Sequence, residues 1–458
     1  MIEVQSFGGS DTVTGSCHLI SLKGKKSFLI DAGLFQGAET KVHRNTKDVP
    51  FDLKNVAGIF LTHAHLDHCG LLPLLCLKGY SGPIFATEAT RDLAVIILKD
   101  SAKIQQANAR AHNKNIVKTS QHISPLYRTQ DVERVLNLFR VIRPHEPLEF
   151  EGITFNFYPA GHIPGAISVS LSPHGQEKKI LFSGDLGRTD DLIMLPPDIK
   201  EGHDIIFVES TYGGHNHPSD PKIEEQLTRL IKKVKDKGSV LLIPAFTVAR
   251  TQMIVSLLHN LMKKNSSLKV PVLMDSPMGL QVNKVFEHHL EHLKLDHKEW
   301  TAMFSDVYEV EEKWQEEKVN SMPEGHILIS SSGMMTGGKV VTHFARLAFD
   351  ADNVIFLPGH QGAGTLGRRL IDGERSFEGE KETLEVKCEV LQSRELSAHA
   401  DQNQLTEWLN KASKTPKDTL VFLIHGETEE RLAFKKHLLG VGFGHVELMD
   451  YKSPTTIL

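Results

Sequence analysis

The sequence predicts an α/β protein in two parts: a first domain that is interrupted by a second and then resumes. Over the first 208 residues, short apolar runs end at Asp, His, Gly or Pro. From Pro221 onward, strand-like runs alternate with helix-spaced segments, the pattern of an α/β unit with a largely parallel sheet. After Ser393 the pattern of the first 208 residues resumes. The expected divisions are 1–208, an inserted unit over 209–392, and 393–458.

In the first part, residues 26–31 (KSFLID), 57–62 (AGIFLT), 153–159 (ITFNFYP), 180–183 (ILFS) and 205–209 (IIFVE) are apolar runs of strand length. Turn residues bound each of them, as expected of buried strands. Segments 71–77 and 131–138 carry helical spacing, and polar 105–122 reads as a helix and a surface loop. In the insert, 221–237 and 251–264 read as helices. Segments 239–244, 270–275, 326–331 and 353–358 read as strands. In the last part, strand 419–424 runs into His425 and helix 430–439 follows.

A chain of 458 residues buries an ample core without staples. Its four cysteines, Cys17, Cys69, Cys76 and Cys388, form no CxxC pair. That fits a reducing cytoplasm and argues against disulfides and thiolate zinc sites. The opening residues lack the pattern of a signal peptide, and no apolar run reaches about 18 residues, so no membrane span is expected. A net charge of −5 leaves nucleic-acid binding to local basic groups. The 25 histidines exceed what packing needs, and imidazole is a common metal ligand.

Thr62-His63-Ala64-His65-Leu66-Asp67-His68 follows an expected strand and puts four ligand-type side chains within six residues. In a regular helix they would point around the cylinder. On a loop, His63 and His65 can reach one ion while Asp67 and His68 reach a second. Imidazole and carboxylate suit zinc, and paired ions about 3.5–4 Å apart can share one short loop. Asp31, His162, Asp185 and His425 also stand at expected strand ends, where open α/β sheets place ligand groups. Spacing alone does not separate His399 from His425 as acid and ligand, although the strand-end position of His425 favours it as the ligand.

With these residues in place, the HAHLDH motif and its partners resemble the metallo-β-lactamase superfamily. Glu209-Ser210-Thr211-Tyr212-Gly213, Ser397-Ala398-His399-Ala400-Asp401 and His425-Gly426-Glu427 resemble the three signature motifs of its β-CASP nucleases. Pro244-Ala245-Phe246 with Arg250, 330–338 (SSSGMMTGG) and 364–369 (GTLGRR) resemble further segments of that family, in its order. The resemblance implies an αββα sandwich with an inserted β-CASP domain and metals at the sheet edges. It implies two zinc ions, the first on His63, His65, His162 and Asp185, the second on Asp67, His68, Asp185 and His425. Asp31 would hydrogen-bond behind these ligands. The RNA-processing branch carries His in the third motif where the DNA-repair branch usually has Val, so His425 points to RNA. The pattern is similar to bacterial and archaeal relatives of the 3′-end cleavage subunit of pre-mRNA processing, and such relatives often form homodimers.

The implied reaction is hydrolysis of single-stranded RNA by water activated between two zinc ions, leaving a 3′-hydroxyl and a 5′-phosphate. His399 is the candidate general acid, with Glu209 orienting its ring, and Asp67 joins the catalytic group as well as the ligands. Ser331, Ser332 and Thr336 could offer hydroxyls and nearby N–H groups to phosphate, and Arg250, Arg368 and Arg369 could offer charge. Aromatics make up only 7% of the chain, so stacking platforms are expected to be sparse. The competing readings are a DNA nuclease of the same architecture and a small-molecule metallo-hydrolase. His425 argues against the first, and the large insert with the Glu209–His399 pair against the second.

Overall fold

The computed structural model describes residues 1–37, 42–114, 121–218, 222–310, 315, 317, 322, 325–359, 361–362, 364–378, 383–393 and 395–457. The end of the expected polar segment 105–122 falls partly outside them, as does Pro221. The described chain divides into two compact units, Met1–Asn216 with His399–Leu458, and His217–Ala398.

The first unit holds two seven-stranded sheets. In one, the order is Pro454–Thr456, Ile2–Gly8, Cys17–Leu22, Ser27–Ile30, Val56–Phe60, Ile84–Ala86 and Phe139–Val141. Its last four strands run parallel. In the other, the order is His445–Leu448, Leu420–Ile424, Ile205–Glu209, Ile180–Phe182, Ile167–Pro173, Ile153–Pro159 and Leu148–Phe150. Its first four are parallel and the rest antiparallel.

The inward faces of the two sheets share one core. Phe60 of the first sheet stacks on Phe155 of the second at 4.0 Å between ring centres. Within the second sheet, strand register sets Phe182 beside Phe207 and Phe207 beside Phe422, at 4.4 and 4.8 Å. Strands covered on both faces read as continuous apolar runs, which is why 180–183 and 205–209 are visible in the sequence. Helix Glu88–Asn113 begins well before the expected 105. Thr87 caps it by accepting the N–H of Thr90 (3.2 Å), and it buries Ala89, Leu93, Ala94, Ile97 and Leu98. No described helix is long and apolar enough to cross a membrane.

The inserted unit is built on a six-stranded sheet in the order Val307–Glu309, Val272–Asp275, His326–Ser330, Val240–Pro244, Val354–Leu357, Glu389–Gln392. Every pairing in it is parallel. Helix Ile223–Lys237 buries Ile223, Leu227, Leu230, Ile231 and Val234, a stripe at helical spacing. It stops at Gly238, whose φ of 65° is the left-handed cap that glycine adopts without strain. Helices Arg250–Lys264, Pro277–His288, Lys339–Leu347 and Leu366–Ile371 complete this unit's longer α-helical connections together with His297–Ser305.

Candidate metal centre

Two adjacent parallel strands of the first sheet deliver half of the site. Ser27–Ile30 runs into Asp31, and Val56–Phe60 runs into Thr62 and the histidine loop. Asp31 has a φ of 60°, uncommon for a residue with a side chain. Its position is fixed on both sides: its N–H donates to the Phe60 carbonyl (3.0 Å) and its Oδ1 accepts the N–H of Thr62 (2.8 Å). Its Oδ2 accepts the Thr62 hydroxyl (2.9 Å) and stands 2.7 Å from His68 Nδ1. A carboxylate there selects the Nδ1–H tautomer and leaves the Nε2 lone pair of His68 to face the site.

The four clustered ligand-type residues do not all lie on a loop. His65 is the N-cap of the short helix Leu66–Cys69, so Asp67 and His68 stand in its first turn. The second sheet supplies the rest from strands whose ends share one edge. Ile153–Pro159 leads to His162, Ile180–Phe182 to Asp185, and Leu420–Ile424 to His425. His425 has a φ of 47° and is tied by its N–H to the Gly9 carbonyl (2.6 Å). Thr211 Oγ1 lies 3.2 Å from His425 Nδ1 and donates to its carbonyl.

The ligand atoms of His63, His65, His162 and Asp185 all lie within 4.8 Å of one another, and so do those of Asp67, His68 and His425. Asp185 joins the two groups. Its Oδ2 is 3.5 Å from His63 Nε2 and 3.8 Å from His162 Nε2. Its Oδ1 is 3.4 Å from His68 Nε2 and 3.3 Å from His425 Nδ1. His65 Nδ1 faces His63 Nε2 at 3.0 Å and His162 Nε2 at 3.2 Å. One in-plane lone pair satisfies only one such neighbour; a cation shared by the three rings satisfies all. Asp185 Oδ1 is buried and makes no hydrogen bond. A nitrogen-and-carboxylate donor set without thiolate, with an unsatisfied buried oxygen at its centre, fits divalent metal ions.

The electrostatics of the site are divided: burial opposes a charged His68, but Asp185 and Asp31 hold it well above the usual imidazole range, so a cation bound there displaces its proton. Burial drives the His63 ring well below the usual imidazole range, and neighbouring His68 adds to it. Burial also pushes His65 down to about 4, against the pull of Asp67 and Asp185. Neutral rings are the ligating form. Burial disfavours ionised Asp185, yet His425, His68 and His63 hold it well below the usual carboxylate range.

Glu209, at the end of Ile205–Glu209, is fully buried. Its Oε1 accepts the N–H of Leu186 (2.7 Å) and meets His399 Nδ1 at 3.0 Å, and its Oε2 accepts the N–H of Thr211 (3.2 Å). Asp185, Glu209 and His399 also form a close group. With both Glu209 oxygens committed to backbone N–H groups, the group reads as a held imidazole. The His399 ring centre is 4.5 Å from that of His162. Burial opposes a charged His399, but Glu209, then Asp185 and Asp67, raise it to about 9.

The candidate phosphate contacts belong to the inserted unit and are held by local partners. Arg250 Nη1 bonds the Pro358 carbonyl. Arg368 pairs with Asp372 (2.9 Å), and Arg369 pairs with Glu374 and covers the Phe377 ring at 4.6 Å. Ser331 Oγ accepts the hydroxyl of Ser276 (3.1 Å). Ser332 Oγ accepts the N–H of Thr336 (3.0 Å). Sequence reasoning missed Thr62 and Thr211, which orient Asp31, His63 and His425. Their signal was adjacency to the HAHLDH and Glu209 motifs. It also missed Ser16, whose hydroxyl donates to Asp31 Oδ2 (3.2 Å) and for which no pattern spoke.

Three family models match the chain: "Metallo-beta-lactamase superfamily" over residues 11–245, "Beta-Casp domain" over 251–370, and "Zn-dependent metallo-hydrolase RNA specificity domain" over 383–447. A ribonuclease of Thermus thermophilus is 30% identical over 446 residues, covering 95% of this chain and 96% of the relative. An RNase J-like protein of Methanocaldococcus jannaschii is 28% identical over 439 residues, covering 95% and 94%. A transcription termination factor, FttA, of Methanosarcina mazei is 28% identical over 447 residues, covering 93% of this chain and 67% of its own. A solved structure from Enterococcus faecalis V583, described as a protein of unknown function, matches with a TM-score of 0.51 at 10% identity over 100% of both chains, which shows fold alone. The chain thus belongs to the metallo-β-lactamase superfamily, in its β-CASP branch of metal-dependent hydrolases.

Proposed function

We propose that this protein is a two-zinc ribonuclease that hydrolyses phosphodiester bonds of single-stranded RNA, leaving a 3′-hydroxyl and a 5′-phosphate. The observation that carries the reading is the Glu209–His399 pair set beside two donor groups that share Asp185. His63, His65, His162 and Asp185 would hold one ion, and Asp67, His68, Asp185 and His425 the other. Bound zinc supplies Lewis-acid chemistry, activating water near neutral pH and offsetting charge on the phosphate.

The protein's own residues do the remainder. Asp31 fixes the His68 ring and Thr62 fixes Asp31. Glu209 keeps His399 oriented and protonated, so that His399 can give its proton to the departing 3′-oxygen. Asp67 Oδ2, 3.5 Å from His425 Nε2, is placed to ligate and to accept a hydrogen bond from the attacking water. Ser331, Ser332, Thr336, Arg250, Arg368 and Arg369 are the proposed phosphate contacts. RNA is favoured over DNA by His425 in the third motif and supported by the ribonuclease names of the Thermus and Methanocaldococcus relatives. Four free, buried cysteines suit a reducing cytoplasm. A homodimer is part of the same reading, and sedimentation of the purified chain checks it.

The deciding experiment is cleavage of end-labelled single-stranded RNA and matched DNA by wild type and His399→Ala, with metal content measured on both. Wild type is expected to hold about two zinc ions, as two-metal hydrolysis requires, and to cut RNA. The variant should keep its metal and lose cleavage. Metal-loaded wild type that leaves RNA intact sinks the reading. A variant that loses metal means that His399 is a ligand.

A further inference from the structure

Because the sheet of the inserted unit is wholly parallel, all its strands end at one edge, the edge where open α/β sheets take ligands. Pro244 pairs with Ser330 across strands Val240–Pro244 and His326–Ser330, so the loops that leave these strands start side by side. Phe246 stands on one of them and is 41% exposed.

A lone exposed phenylalanine is ordinary, but this one is held in place. Its carbonyl accepts both the N–H (3.1 Å) and the hydroxyl (2.8 Å) of Thr251, in the first turn of helix Arg250–Lys264. One edge of its ring lies over Gly333. A Cβ at that glycine would stand 2.8 Å from both Phe246 Cδ2 and the Phe246 backbone nitrogen and 3.0 Å from Cε2, so only glycine leaves the residue where it is. The loop that carries Gly333 also carries Ser332 and exposed Thr336, whose hydroxyls are 3.1 Å apart.

The inserted unit exposes two other aromatics among its described residues, Tyr308 and Phe349. Tyr308 lies within the edge strand Val307–Glu309. Phe349 follows helix Lys339–Leu347 and precedes strand Val354–Leu357, at the opposite edge of the sheet. Neither adjoins a hydroxyl-bearing loop at the strand ends.

We propose that Phe246 is a base-stacking platform for single-stranded RNA. A base lies on the exposed part of the ring while a neighbouring phosphate meets the hydroxyls of Ser332 and Thr336. The proposal rests on the RNA reading above and adds a contact to it that depends on the base. Every base has a π-face, so the platform adds affinity without choosing a sequence. With its backbone held by Thr251 and its ring packed on Gly333, Phe246 loses little freedom on binding.

The test uses the full chain with bound zinc and a single-stranded RNA carrying one 2-aminopurine, moved position by position, and the same RNA made abasic at that position. Phe246→Ala is expected to weaken binding by about 5- to 100-fold, the range for losing one stacked base, with the loss falling on KM. Phe246→Tyr should restore it. In wild type, 2-aminopurine fluorescence should be quenched at one position, and Phe246→Ala should abolish that quenching. With an abasic nucleotide there, wild type and variant should bind alike. Gly333→Ala, which displaces Phe246 in both ring and backbone without removing the ring, should weaken binding and lose the quenching at the same position. Unchanged binding in Phe246→Ala, or an equal loss on the abasic RNA, overturns the proposal while RNA cleavage by wild type stands. Wild type that neither binds nor cuts RNA overturns both this proposal and the reading beneath it.

Discussion

Each unit of the molecule buries an aspartate at or just beyond the end of a sheet strand, and the two are neutralised differently. Asp275 closes strand Val272–Asp275 and is 1% exposed. Lys339 Nζ reaches its Oδ1 at 2.5 Å and His343 Nε2 its Oδ2 at 2.7 Å. Burial disfavours its charge, but His343 and Lys339 hold its pKa below the ordinary carboxylate value. Asp185 is 2% exposed and faces four imidazoles at 3.3–3.8 Å. No lysine or arginine pairs with it among the described residues, and its Oδ1 has no hydrogen bond. A buried charge persists only when it is paired or coordinates a metal. The inserted unit therefore pairs its aspartate with a lysine and a histidine, whereas Asp185 in the first unit faces imidazoles alone, a donor set that suits a divalent metal ion.

Five experiments break or sharpen this contrast. The largest effect is expected for Asp185→Ala, which removes the group shared by both donor sets. Metal content should fall for both ions, and cleavage should drop beyond the roughly 10⁴-fold upper range for loss of a general acid. Full metal retention would show that Asp185 does not join the two groups. Next comes His399→Ala, with kcat lowered about 10²- to 10⁴-fold and zinc content unchanged.

Asp31→Asn leaves every proposed ligand in place but weakens the support of His68. Metal affinity should fall about 10- to 100-fold, read by competition with a chelator. Glu209→Gln acts on the pH profile. Against the effect of burial, Glu209 raises the pKa of His399, so cleavage should decline on the alkaline side as His399 loses its proton. Without the carboxylate the alkaline limb should move to lower pH; an unmoved limb would assign it to another group.

The smallest effect on chemistry is expected for Asp275→Ala. It strands His343 and Lys339, the latter with a side chain 32% exposed, and should cost about 2 kcal/mol of stability, below the full penalty for a wholly buried pair. Metal content should stay at the wild-type level. Loss of metal in this variant would end the contrast between Asp275, paired with Lys339, and Asp185, which faces only imidazoles.

Short-range signals make much of the fold and the site legible in the sequence. Strands 180–183, 205–209 and 419–424 are continuous apolar runs because both faces of each are covered, and such runs need no partner to be recognised. The HAHLDH cluster is dense enough to be read without a fold. Helix Glu88–Asn113 is legible only in its later part, because its buried face near the start is largely alanine and leucine within a generally apolar stretch. Ile2–Gly8 and Ile167–Pro173 pair with strands close in sequence and alternate apolar with polar residues over much of their length, a pattern that continuous apolar runs do not reveal.

The sequence by itself determined which side chains are available to bind metal and that they stand at strand ends, because composition and local periodicity are properties of neighbours along the chain. Only the tertiary structure decided that residues as far apart as His68 and His425 meet at 3.2 Å and that Asp185 stands between the two groups. It also decided that Glu209 commits its oxygens to Leu186, Thr211 and His399. Those distances are set by how two sheets align over a shared core, and no local pattern along the chain encodes that alignment.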